Sequence, residues 1–176
     1  MKKLNILSVV VVILLSLIIF AGCTETTSVK EEAILLTVNQ IKETPTYEWF
    51  GIEMNMYVPD TAIVNQIKTL FNPNMHKVLF YADMTCGCVT QGENVAHIIR
   101  VLRDAGMNDS VFKIYSMRKN TWSYPESGYV QVTKLPTAML MKNVVPVYSV
   151  LDTLLTFQLT GQEKKIEELL LDGIKK

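Results

Sequence analysis

The feature that most constrains this chain is the run Lys77-Val78-Leu79-Phe80-Tyr81-Ala82. It is continuously apolar after the lysine, and it is too short for a helix that must bury one stripe. Such a run marks a central strand covered on both faces, as in sheets with helical crossovers. Val89 to Ala105 then carries Val95, Ile98, Ile99 and Leu102 at i, i+3, i+4 and i+7, the period of an amphipathic helix, with Gly106 as terminator. Val111–Met117 reads as the next strand. A strand–helix–strand unit of this length implies a parallel pair joined by a right-handed crossover.

The flanking segments extend this frame. Ile34–Ile41 is compatible with a short helix or a strand. Trp49–Val58 places Ile52, Met54, Met56 and Val58 at period two and predicts a strand. Asp60 is positioned to cap a helix that places Ile63, Ile67, Leu70 and Phe71 on one face and stops at Asn72-Pro73. Arg118–Lys134 is polar and aromatic, contains Pro125 and Gly128, and reads mostly as loop. Thr137–Lys142 and Val144–Val150 predict two strands too close for a crossover, hence antiparallel. Thr160 and Glu163 form a candidate capping box for a last helix burying Ile166, Leu169 and Leu170. The expected class is α/β, with a central mixed sheet flanked by helices.

The N-terminus carries a different signal. Lys2-Lys3 precedes an apolar run from Ile6 to Phe20 that ends in Ala21-Gly22-Cys23. A basic start, a short apolar stretch and small residues before a cut describe an export signal. The run is slightly short for a comfortable membrane span of ~20 residues. Its end resembles the lipobox of bacterial lipoproteins, with Phe20 where Leu is usual. That resemblance implies lipidation of Cys23, a signal peptide over residues 1–22, and a chain held outside the cytoplasm at a membrane, periplasmic or on the cell surface. Residues 23–45 then form a tether and N-terminal extension, and 46–176 the folded domain. The polar stretch Thr24–Glu32 suits a flexible tether. With 17 basic and 17 acidic residues, the chain lacks the charge that nucleic-acid binding requires.

With Cys23 assigned to lipid, the remaining cysteines are Cys86 and Cys88, separated only by Gly87. They lie between a buried strand and a helix N-terminus. Unpaired N–H groups and the helix dipole there favour a thiolate, the reactive form. A second thiol nearby lets a mixed disulfide resolve within the molecule. In an exported protein such a pair is either a static disulfide or a redox couple, and this location suits the second.

At this point the chain resembles the thioredoxin superfamily over roughly Pro59 to Ile174. Val78–Asp83 looks like the strand leading into that family's redox motif, and Cys86-Gly87-Cys88 occupies the motif's place. Val111–Ile114 looks like the next strand, and Leu135-Pro136-Thr137 like the cis-proline segment. The resemblance implies that Pro136 follows a cis bond against the cysteines. It also implies that Leu135 pairs with substrate peptide through its backbone, with Thr85 beside the motif. Two departures stand out. One residue separates the cysteines instead of two, so either Thr85 or Cys86 aligns with the first family cysteine. The family's buried acid in the preceding strand is also missing, since Leu79 or Phe80 stands there, while Lys113 matches a family lysine near that acid.

The expected function is a membrane-anchored thiol–disulfide oxidoreductase with Cys86 and Cys88 as its catalytic pair and no cofactor or resident metal. Its partners would be exported cysteine-containing proteins and a redox partner that resets the pair. Two other readings stand beside it. A non-catalytic or Cu(I)-binding lipoprotein would use the two thiolates, with Met84 the best-placed methionine. His76 lies at the far end of the strand, and His97 faces solvent about three turns beyond the cysteines. A thiol peroxidase would use Thr85-Cys86-Gly87-Cys88 as Thr-x-x-Cys, which resembles the peroxiredoxin motif, with Cys88 attacking peroxide and Arg118 as the cation. Trp122, Tyr124 and Tyr129 precede Pro136 and are candidates either for substrate contact or for loop packing.

Overall fold

The structure is a computed structural model and describes residues 31–85 and 89–176. Cys23, the export segment, Cys86, Gly87 and Cys88 lie outside the described residues. Among the described residues, no helix is long and apolar enough to cross a membrane.

The strand β2 (His76–Ala82) forms the middle of a mixed sheet. Its alternate residues serve two cores. Val78, Phe80 and Ala82 enter a large cluster beneath the helices. Leu79 and Tyr81 enter a smaller one on the opposite face, with Tyr115, Met117, Val130, Val132 and Met141. The continuous apolar run is therefore explained by burial on both sides, but the second cover is the 118–134 loop rather than a helix.

β2 pairs in parallel with β3 (Phe112–Ser116) and antiparallel with β4 (Thr137–Lys142). β4 pairs antiparallel with β5 (Val145–Ser149), and β1 (Ile34–Leu36) pairs antiparallel with β3, giving the order β1-β3-β2-β4-β5. The parallel crossover and the terminal hairpin match the sequence expectation. The Ile34–Ile41 segment divides into β1 and a short helix α1 (Val38–Glu43), capped by Thr37 and burying Val38 and Ile41. The N-terminal extension thus contributes an edge strand and core side chains.

Glu48–Met56 forms a helix, α2, where period two predicted a strand. The residues that reach the core are Tyr47, Phe50 and Met54, a helical spacing, while Ile52 and Met56 are 56% and 70% exposed. Methionine and glutamate are good helix formers, and apolar residues on both sides of the segment imitate alternation. α3 (Thr61–Leu70) is capped as expected, since Asp60 Oδ1 accepts from the Ala62 and Ile63 N–H groups. Its core residues are Val64 and Ile67, with Phe71 at its end, and Leu70 is exposed. α4 (Val89–Asp104) ends in a Schellman turn, with Met107 N–H bonding Leu102 O and Gly106 at φ +82°.

The C-terminal part departs in another way. A helix not foreseen, α5 (Val150–Leu159), follows β5 directly, and Thr160 closes it rather than opening the last one. The Thr160 hydroxyl donates back to the Thr156 and Phe157 carbonyls, and the last helix begins too far downstream for Thr160 to cap it. The last helix, α6 (Ile166–Ile174), starts at Lys165, whose N–H donates to the Glu168 carboxylate at 2.8 Å. Ile166, Leu169 and Leu170 are buried as expected.

His76 opens β2 in a buried position, and its Nδ1 accepts from the Asn72 N–H at 2.9 Å. Burial, aided by the Lys142 charge, holds its pKa below the usual histidine value of 6.5. The unfolded chain then binds the proton more readily, so stability should fall as pH drops below about 6.5 and through the lower folded pKa. Urea unfolding of wild type and His76→Gln across pH 5 to 7.5 checks this. The wild type should lose more stability towards low pH than the variant. Parallel curves would remove His76 as the cause.

Candidate functional site

Three chain segments meet at the C-terminal end of β2. The first is the strand exit, Asp83-Met84-Thr85. Asp83 Oδ1 accepts from the Thr85 N–H at 2.9 Å and from its hydroxyl at 2.6 Å, which folds the backbone into a side-chain-closed turn. Tyr47 OH donates to the Asp83 carbonyl at 3.3 Å. Met84 is buried, so the turn is pinned below while Thr85 stays exposed. The chain re-enters the described residues at Val89, the first residue of α4. Cys86 and Cys88 are thus bounded by a fixed strand exit and by a helix of 16 residues.

The second segment is the corner before β4. The Leu135–Pro136 peptide bond is cis. Thr137, directly after it, is the register partner of Tyr81, so this corner stands beside Ala82 at the strand exit. Lys134, Leu135 and Pro136 line a groove of about 200 Å³ with Asn94 of α4 and Leu151 and Leu154 of α5. Lys134 Nζ lies 3.1 Å from the Asp152 carboxylate, which also accepts from the Thr137 hydroxyl at 3.4 Å. That pair ties the corner to α5.

The third segment is the start of the loop after β3. Met117 N–H bonds the Ala82 carbonyl at 3.0 Å, carrying the ladder past the last strand residue. Arg118 follows, and its Nε donates to Thr85 Oγ1 at 2.9 Å. A guanidinium therefore sits one residue from the cysteine segment. Nothing in the sequence places Arg118, and its position follows from the parallel register of β2 and β3, which sets Ala82 against Ser116.

The loop aromatics mostly pack. Tyr124 OH donates to Val130 O at 2.9 Å and accepts from Val132 N–H, and its ring lies 5.0 Å from Tyr81. Trp122 packs against the second core. Tyr129 lines a cavity with Asn74, Asn143 and Val144, at the end of the sheet away from Ala82. The same cavity borders a group that sequence reasoning missed, Glu126, which is 4% exposed. It accepts from Lys113 Nζ at 2.9 Å and from Tyr115 OH at 2.8 Å. Hydrogen bonding to Glu126 raises the Lys113 pKa above its usual value. Lys113 thus has a buried carboxyl partner, supplied from the loop rather than from β2.

His97 is not solvent-facing. Its side chain is only 14% exposed, and its ring stacks on Tyr57 at 4.1 Å between centroids. Met54 is buried and Met56 is exposed, and both sit on the helix α2.

Close approach of α2 to this region depends on a glycine. A Cβ on Gly92 would lie 2.6 Å from the Trp49 ring and 3.6 Å from Met84. The absence of a side chain at this point lets Trp49 rest on the first turns of α4. Comparison of the chain with protein-family models, with curated proteins and with solved structures gives no match.

Proposed function

We propose that this chain is a thiol–disulfide oxidoreductase of thioredoxin-like fold, exported and held at a membrane through lipid on Cys23. The carrying observation is the convergence at one sheet end of three things: the ends that bound Cys86-Gly87-Cys88, the Leu135–Pro136 corner, and an open groove. The five-stranded mixed sheet and the cis bond before Pro136 agree with the resemblance to the thioredoxin superfamily.

In the reducing direction, the Cys86 thiolate attacks one sulfur of a substrate disulfide and forms a mixed disulfide, expelling the first substrate thiolate. The Cys88 thiolate then attacks the Cys86 sulfur. This closes a Cys86–Cys88 disulfide and releases the second substrate thiolate. Two electrons pass to the substrate, and a partner dithiol must return them. The α4 N-terminus favours the thiolate, and the Leu135 backbone and groove hold the incoming peptide.

Insulin reduction by the purified chain tests this reading. Cys86→Ser should abolish activity, and Cys88→Ser should leave a trapped mixed disulfide visible by mass spectrometry. Unchanged activity in both variants would refute the proposal.

The Arg118–Thr85 hydrogen bond favours a second reading, a thiol peroxidase. There the Cys88 thiolate takes one peroxide oxygen, becoming a sulfenic acid, and the remaining oxygen leaves as water or alcohol after protonation. Thr85 and Arg118 would polarise the peroxide. Peroxide consumption that survives Cys86→Ser but fails in Cys88→Ser and Arg118→Ala selects this reading over the first.

A further inference from the structure

The side chains of Glu53 on α2 and of Glu93 and His97 on α4 converge where the two helices meet. Each offers one donor atom, and the three atoms lie within 4.8 Å of one another. Glu93 and His97 stand one helical turn apart on one face, and Glu53 meets them from the neighbouring helix. We propose that these three residues bind a zinc-class divalent cation, with water as the fourth ligand, clamping α2 to α4.

Several observations carry this. His97 Nε2 and Glu53 Oε2 are 3.6 Å apart, too far for a hydrogen bond. Two ligands on one tetrahedral zinc, each about 2.1 Å from the ion, stand roughly 3.4 Å apart. The gap, within ion-pair range, is also wide enough to admit an ion between the two donors. The His97 ring is held in place by its stack on Tyr57, so Nε2 is presented to the carboxylates at little entropic cost. Charge agrees as well: two carboxylates and one neutral imidazole balance a divalent cation. The nearest cation on the same helix face, Arg100, is already engaged with Asp104 and with the Met54 and Asn55 carbonyls.

The donor set selects the metal. Imidazole with carboxylates suits zinc and its neighbours, whereas calcium and magnesium favour all-oxygen sites. Gly92, one position before Glu93, permits the close helix contact on which the convergence depends. The cation would therefore fix the first turns of the helix that begins at Val89.

The test uses the full chain with Cys23, Cys86 and Cys88 all replaced by serine, so that thiols take no metal and the outcome is independent of the redox proposal. After chelator treatment it is titrated with zinc ions against a chromogenic competitor, and its melting temperature is followed with and without zinc. The expected result is one equivalent bound and a higher melting temperature. Glu93→Gln and His97→Gln should each weaken binding by at least about tenfold and remove the thermal shift. Glu93→Gln removes no hydrogen bond seen among the described residues, so it decides the matter even if the histidine variant folds poorly. No uptake by the cysteine-free chain, or equal uptake by Glu93→Gln, would overturn the proposal.

Discussion

Glu167→Ala is expected to destabilise the fold by about 3 kcal/mol, because it strips a buried acceptor from two donors at once. Glu167 lies in the first turn of α6 and is 1% exposed. One carboxylate oxygen accepts from Tyr57 OH at 2.5 Å and the other from the Asp60 N–H at 2.9 Å. The two bonds tie the connector between α2 and α3 to the last helix, across more than a hundred residues of chain. Burial raises the Tyr57 pKa above its ordinary value, and the hydrogen bond to Glu167 adds to this, so the phenol remains a donor throughout the physiological range. Charged hydrogen bonds contribute about 1.5–3 kcal/mol each, partly offset by the cost of burying the carboxylate. A domain of this size should lose roughly 6–12 °C in melting temperature. Tyr57→Phe should cost less than half as much, since Asp60 keeps its acceptor. A melting temperature within a degree of wild type for Glu167→Ala would show that water replaces the carboxylate at no cost.

Phe80→Ala is expected to cost about 3–5 kcal/mol, a large share of the 5–15 kcal/mol that a domain of this kind has in total. Phe80 is fully buried at the middle of β2, between Ile114 on β3 and Ala138 on β4. Its ring meets Phe112 edge-on at 6.0 Å between centroids. Neither neighbouring strand can collapse into the void without breaking its ladder, so the cavity persists. Urea unfolding measures the loss directly. Phe80→Leu should recover most of it, because the volume is largely kept. Equal stability of wild type and Phe80→Ala would mean that the core around β2 is loosely packed.

The central strand–helix–strand unit was legible because its code is redundant. Val78–Ala82 is apolar on both faces, Val95–Leu102 keeps a helical period, and Gly106 marks the stop. Trp49–Val58 was misread because Phe50 and Met54 point inward while Ile52 and Met56, equally apolar, point out. Hydropathy cannot separate the two sets. α5 was missed for a related reason: Val150 ends an apolar strand and begins an apolar helix with no capping side chain between them. At the site, the neighbourhood of Leu135–Pro136 could be expected from local motifs. The Arg118–Thr85 contact and the burial of Glu126 could not, since they depend on strand register and on the path of a long loop.

The edge strand β1 has a directional consequence. It runs against β3, so Ile34 stands opposite Ser116, and Ser116 in turn stands opposite Ala82. Upstream of Ile34, Glu32 bridges to Ser123. The polypeptide therefore enters the domain at the end of the sheet where β2 gives way to the Cys86-Gly87-Cys88 segment. Residues 23 to 31 can stretch no further than roughly 30 Å. A leash of that length fastened to a bilayer through Cys23 would keep the thiols within a few nanometres of the lipid headgroups. Clients would then be selected by their height above the surface as much as by their chemistry.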